Sequence, residues 1–294
     1  MKNYVIIGGG IASVACIEGI RSIDKKGKIS LISGENKPTY CRPLISYYLQ
    51  NLTDFEKMKY RPDGFYAENG CELVFGKAES IDKTTKTVSV NGRNIAYDKL
   101  LVATGSTPFV PPFNGLDTVE NKFTFMTEND AFDIAQAVSP QTKVLIIGAG
   151  LIGLKCAEGL TERVKSVTVS DLATRVLSSI LDDECAAYMR KVLEEHGVSF
   201  VLGDSVERFE KNSAVFKSGK TVDFDVLALE YKKRCCHTAQ SELRAEVLLE
   251  EFLNQFNTLL RLSHIQHRTV VNGLHNSTHC RLLSVFLSKL RAKV

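Results

Sequence analysis

Residues 4–13 read YVIIGGGIAS and residues 144–153 read VLIIGAGLIG. In both places an apolar run of one strand's length breaks into clustered glycines and leads into an amphipathic stretch. That order constrains the fold more than anything else in the chain, because it demands a strand, a tight turn and a helix in immediate succession, twice. One glycine cluster is ordinary turn chemistry. Two in the same context, about 140 residues apart, ask for a common cause.

A strand feeding a glycine loop and then a helix is the arrangement that holds the pyrophosphate of a dinucleotide. The first glycine makes the turn, the second lets the backbone approach the ligand, and the third lets helix and strand pack closely. The helix N-terminus then offers amide donors and positive potential. Gly148, Gly150 and Gly153 complete the pattern G-x-G-x-x-G, whereas the first copy has Gly8 and Gly10 with Ser13, also small, in third place. Each loop is followed by an acid at the end of the next strand, Glu35 closing ISLISGE and Asp171 closing SVTVSD, where a carboxylate accepts from ribose hydroxyls. A carboxylate at Asp171 favours the free 2′-hydroxyl of NAD over the 2′-phosphate of NADP. Arg175 would soften that preference if it reached the ribose, but it reads as a solvated loop residue.

The same rhythm runs through the first 229 residues. Strands are expected at 4–7, 29–32, 100–103, 144–147, 167–169 and 198–202, and helices at 11–23, 151–163 and 182–196. Segments 87–90 with 93–97 and 214–217 with 221–224 flank NG and SG turns and read as hairpins. Glycine-broken strand, helix, second strand, hairpin and further strand thus occur twice. The fold class is α/β, with two Rossmann-like three-layer dinucleotide-binding domains. The first part of one occupies residues 1–112 and the second residues 113–229, with the proline-rich stretch 107–115 as linker. A tail follows at 230–294, with no Asp, no Pro, one glycine and five of the six histidines. Within it 241–262 has an amphipathic helical pattern, and the change of texture reads as a shifted frame, a truncation or a recruited helical or disordered tail.

Composition narrows the function. A net charge of +3 without an aromatic-interleaved basic stripe argues against nucleic acid. No apolar stretch approaches the roughly 20 residues of a bilayer span, so no membrane partner is expected. The eight cysteines lie singly apart from Cys235-Cys236, with no CxxC, which suits neither a zinc site nor a secreted disulfide framework and makes a cytoplasmic setting the default. No HExxH, GxSxG or paired-carboxylate pattern offers a rival catalytic centre. The tail pairs His264 with His267 and His275 with His279 beside Cys280, but without a settled fold around them no metal site is assigned.

Three further segments, PTYCRPLIS (38–46), LLVATGSTP (100–108) and LDDECAAYMRKVLEEHGV (181–198), together with the two loops, resemble the FAD-dependent pyridine nucleotide-disulfide oxidoreductases over residues 1–229. The branch is that of the rubredoxin, ferredoxin and nitrite reductase-like flavoproteins. The resemblance implies an oxidoreductase with FAD on the first loop and NADH, in preference to NADPH, on the second. Hydride would pass from nicotinamide to flavin N5, and electrons on to an acceptor such as a small redox protein or a nitrite-reducing partner. It places Gly8, Gly10, Ser13, Glu35, Arg42, Pro43, Thr104 and Gly105 about FAD, with Arg42 holding a phosphate or the charge of reduced flavin. Gly148, Gly150, Gly153 and Asp171 fall about NAD. Many relatives pair a lysine and a glutamate beside the flavin; the matching residues here are Tyr47 and Lys155, so that ion pair cannot form and Lys155 is expected to supply the positive charge near N5. Cys41 lies near the redox cysteine of disulfide-type and peroxidase-type relatives, which keeps a cysteine-using NADH oxidase, peroxidase or disulfide reductase as an alternative. A non-catalytic nucleotide-binding fragment is a third reading. Relatives continue past the strand matching 224–229 to a G-D motif that completes the flavin site; the tail lacks it, so weak flavin retention is expected.

Overall fold

The computed structural model describes residues 1–230 and the backbone of 233–235. The expected tail helix at 241–262 and both histidine pairs lie outside the described residues. β-Branched side chains buried on both faces suit the middle of a parallel sheet, and the runs before both glycine clusters take that place. β1 (Asn3–Ile7), β2 (Lys28–Ser33), β3 (Cys71–Phe75) and β4 (Lys99–Val102) form an all-parallel sheet in the order β3-β2-β1-β4. β5 (Lys122–Phe123), β6 (Lys143–Ile147), β7 (Ser166–Asp171), β8 (Val198–Leu202) and β9 (Val226–Leu229) form a second, ordered β8-β7-β6-β9-β5 and also parallel. Without β5 the two orders are the same. Each sheet also carries a three-stranded antiparallel sheet inserted before its last crossover strand, Ala78–Asp82, Thr87–Val90 and Arg93–Ala96 in one and Val206–Glu210, Ser213–Phe216 and Thr221–Asp223 in the other. The two expected hairpins are the last two strands of these.

The helices that matter to the site are α1 (Ile11–Ile23), α2 (Ile45–Leu49), α3 (Glu128–Ala137), α4 (Leu151–Leu160) and α5 (Asp183–Glu195). α4 is shorter than the 151–163 expected from its apolar run. It stops at Leu160, and Arg163 turns back to donate to the Leu49 carbonyl at 2.7 Å. The expected linker is partly strand, since Ser106–Pro108 pairs antiparallel with Lys233–Cys235. Ordered pairing therefore continues beyond the change of texture at residue 230.

The largest core cluster mixes Tyr40, Ile45, Leu49 and Met58 with Phe125, Ile134, Leu154, Ala157 and Val169, so the segment around α2 is buried against α3 and α4. Gly159 permits this approach. A Cβ there would lie 2.8 Å from Leu49 Cβ and 3.1 Å from the Ser46 carbonyl oxygen. Lys155, Gly159 and Arg163, four residues apart, make one stripe toward α2, and at its head the Lys155 ammonium sits 5.0 Å from the centre of the Tyr47 ring.

Candidate dinucleotide sites

Both glycine loops are built alike. Gly8 and Gly148 adopt φ of +117° and +123°, which L side chains rarely reach. Their amides donate to Ile32 and Ser170 carbonyls at 2.8 and 2.7 Å, tying each turn to the neighbouring strand. A Cβ on Gly8 would lie 2.1 Å from the Ala103 carbonyl oxygen, and one on Gly148 2.4 Å from that of Glu230. The chain leaving β4 at Thr104 and Gly105 therefore passes directly against the first turn. Both of those residues are exposed, and Gly105 has φ +69°.

The second glycines behave differently. Gly10 and Gly150 are the N-caps of α1 and α4, and a Cβ on either would meet no atom of the described residues within 4 Å. Neither helix has a side-chain cap or an acid in its first turn. Unpartnered amides at a helix N-terminus facing open space suit an anionic pyrophosphate, and the residues present fit such a group at both loops. At the third position a Cβ on Gly153 would be 2.0 Å from the Gly148 carbonyl oxygen. Ser13 meets the equivalent requirement with a buried hydroxyl that donates to the Gly10 carbonyl.

The two acids diverge. Asp171 accepts from backbone, the amides of Ala149 at 2.7 Å and Ala173 at 2.8 Å. Glu35 is held by side chains, ion-paired with Arg42 through one oxygen and accepting from the Tyr40 hydroxyl at 2.7 Å through the other. Tyr40 in turn accepts from the Glu128 amide at 2.9 Å, and Arg42 donates to the Met126 carbonyl at 3.3 Å. Burial, reinforced by the bond to Glu35, pushes the Tyr40 phenol well up. Arg42 is thus turned to Glu35 and the start of α3.

Pro43 lies in the 3-10 turn Arg42–Leu44, which Cys41 caps; Cys41 is half-buried and its amide donates to the Met58 carbonyl at 2.8 Å. Burial pushes the thiols of Cys16 to about 11, Cys71 to about 12 and Cys156 well above the usual value. Lys155 is paired with Glu158 at 2.5 Å and covers Tyr47. The ion pair of the relatives is absent, but the two positions do meet, as a cation over a ring. Three residues escaped the sequence reading. Thr39 donates through Oγ1 to the Gly9 carbonyl at 2.7 Å, Tyr66 donates to Thr39 Oγ1 at 3.0 Å, and Tyr40 bridges Glu35 to α3. The "TY" preceding CRP was the available signal for Thr39 and Tyr40, and nothing in the spacing marked Tyr66. Among the described residues no helix is long and apolar enough to cross a membrane, and no group of His, Cys, Asp or Glu is placed to hold a metal.

Residues 2–231 match the family model described as pyridine nucleotide-disulphide oxidoreductase. The chain belongs to this family. Members similar to it include the nitrite reductase [NAD(P)H] of Bacillus subtilis, 31% identical over 78% of this chain and 29% of that protein. The nitric oxide reductase FlRd-NAD(+) reductase of Pectobacterium atrosepticum is 31% identical over 76% of this chain and 60% of its own length. Among solved structures, the covalent putidaredoxin reductase–putidaredoxin complex superposes with a TM-score of 0.77 at 25% identity, covering 84% of this chain and 62% of that one. The chain therefore spans between 29% and 62% of the length of these proteins.

Proposed function

We propose that the chain carries the two nucleotide-binding units of an FAD-dependent NADH oxidoreductase, in residues 1–112 and 113–229. FAD occupies the cradle of Gly8, Gly10 and Ser13, bordered by Thr104, Gly105, Arg42 and Pro43. NADH occupies the cradle of Gly148, Gly150 and Gly153, with Asp171 at its ribose. The observation that carries this reading is the duplicated cradle, with open space at Gly10 and at Gly150 in front of an uncapped helix. When bound, nicotinamide supplies a hydride and flavin accepts it and releases electrons onward.

This chain's residues bind and orient. First-turn amides of α1 and α4 hold the pyrophosphates, and Asp171 rejects a 2′-phosphate. The α2–α4 stripe holds the flavin-side segment against the NAD unit, with Lys155 as the cation between the two. Lys155→Met is expected to slow flavin reduction by NADH at least severalfold; unchanged reduction would remove Lys155 from the site. The electrons pass to an acceptor such as a small redox protein of the ferredoxin or rubredoxin class, as the relatives' names suggest. The reading is tested by loading the purified chain with FAD and adding NADH without oxygen. Bleaching of the visible flavin band is expected, and a spectrum indifferent to NADH would refute it. The half-buried Cys41 at the turn before Arg42 supports a second reading, in which it joins the redox chemistry. A Cys41→Ser variant that retains full turnover excludes that reading.

A further inference from the structure

Segment 171–177 is pinned at both ends to one residue of the second glycine loop. The Ala149 amide donates to Asp171, and the Ala149 carbonyl accepts from the Leu177 amide at 2.9 Å. Leu177 adopts φ +50° within this bend. Arg175 lies inside the bend and carries the one positive charge between residues 172 and 182. Its guanidinium nevertheless points to α5. It is ion-paired with Asp183, donates to the Ser178 carbonyl at 3.3 Å, and has a buried Nε that makes no hydrogen bond among the described residues. Asp183 stands in the first turn of α5, where the positive end of the helix favours a carboxylate.

An arginine beside the ribose is the group that receives a 2′-phosphate in NADP-binding sites. We propose that Asp183 is a specificity determinant of the second cradle: by holding Arg175 against α5 it keeps the loop's guanidinium from the 2′ position and leaves Asp171 to select the free hydroxyl. The proposal deepens the NADH reading and rests on it. The side chains of Arg175 and Asp183 are 39% and 87% exposed, so the restraint is modest and its release has a measurable but limited effect.

The test is the ratio of NADPH to NADH dissociation constants for the full chain, by isothermal titration calorimetry. Asp183→Ala is expected to tighten NADPH about three- to fivefold relative to NADH, the scale of an exposed ion pair. Asp183→Glu keeps the parent ratio, and Arg175→Gln added to Asp183→Ala cancels the gain. An unchanged ratio in Asp183→Ala, or a gain that survives the loss of Arg175, would overturn the proposal. If the unaltered chain binds no NADH, the cradle reading itself falls and the proposal with it.

Discussion

At the scale of single residues, the glycines divide by what surrounds them rather than by their place in the motif. Gly153 has no room for a Cβ, with a carbonyl oxygen 2.0 Å away, and Gly8 adds a forbidden φ to a similar clash. Gly153→Ala is therefore expected to destabilise the chain by about 2–3 kcal/mol, the upper part of the usual cost of overpacking. Gly10→Ala and Gly150→Ala meet nothing among the described residues and should cost no more than about 1 kcal/mol, the loss of a glycine N-cap to alanine. Chemical denaturation of the three variants measures both, and equal losses would contradict the division. Three of the described cysteines are desolvated, Cys71 and Cys156 by full burial and Cys16 although it is half-buried. Cys16, Cys71 and Cys156 are held as thiols by desolvation, while Cys41 is half-exposed and Cys185 exposed. Brief alkylation at neutral pH followed by mass spectrometry should mark Cys41 and Cys185 before those three. Early labelling of Cys71 would show that its neighbourhood opens.

At the scale of elements, the glycine-broken strands and α1 were legible because their signals are local. β-Branched runs end in glycine, and α1 spans the residues its pattern predicted. β3 was missed because CELVF exposes Glu72 and Phe75 while burying Cys71 and Val74, leaving little periodicity in five residues. α3 was missed because its buried apolar face is only Ala131 and Ile134. What starts it is a capping box, Thr127 accepting from the Asp130 amide and Asp130 accepting from the Thr127 amide. Thr127→Ala should cost about 1 kcal/mol in denaturation. A loss under about 0.3 kcal/mol would mean that Asp130, which also accepts from Met126 and Thr124, carries the cap alone. The cluster of Glu35, Tyr40 and Arg42 with α3 joins residues 84 and 88 apart, and no spacing rule exposes such a contact.

For the molecule as a whole, the duplicated loop reflects a duplicated architecture, down to the strand order and the inserted antiparallel sheet. The copies are not equivalent at their acids. Asp171 is held by backbone amides, while Glu35 belongs to a side-chain network that ties the first loop's neighbourhood to α3. Under the proposed function the two cradles hold different dinucleotides, each independently of the other. Titrating FAD and NADH separately into the Gly10→Ala and Gly150→Ala chains distinguishes the two cradles. The first variant should lose FAD affinity and keep NADH, and the second should do the reverse. Loss of both ligands in either variant, at unchanged stability, would contradict that independence.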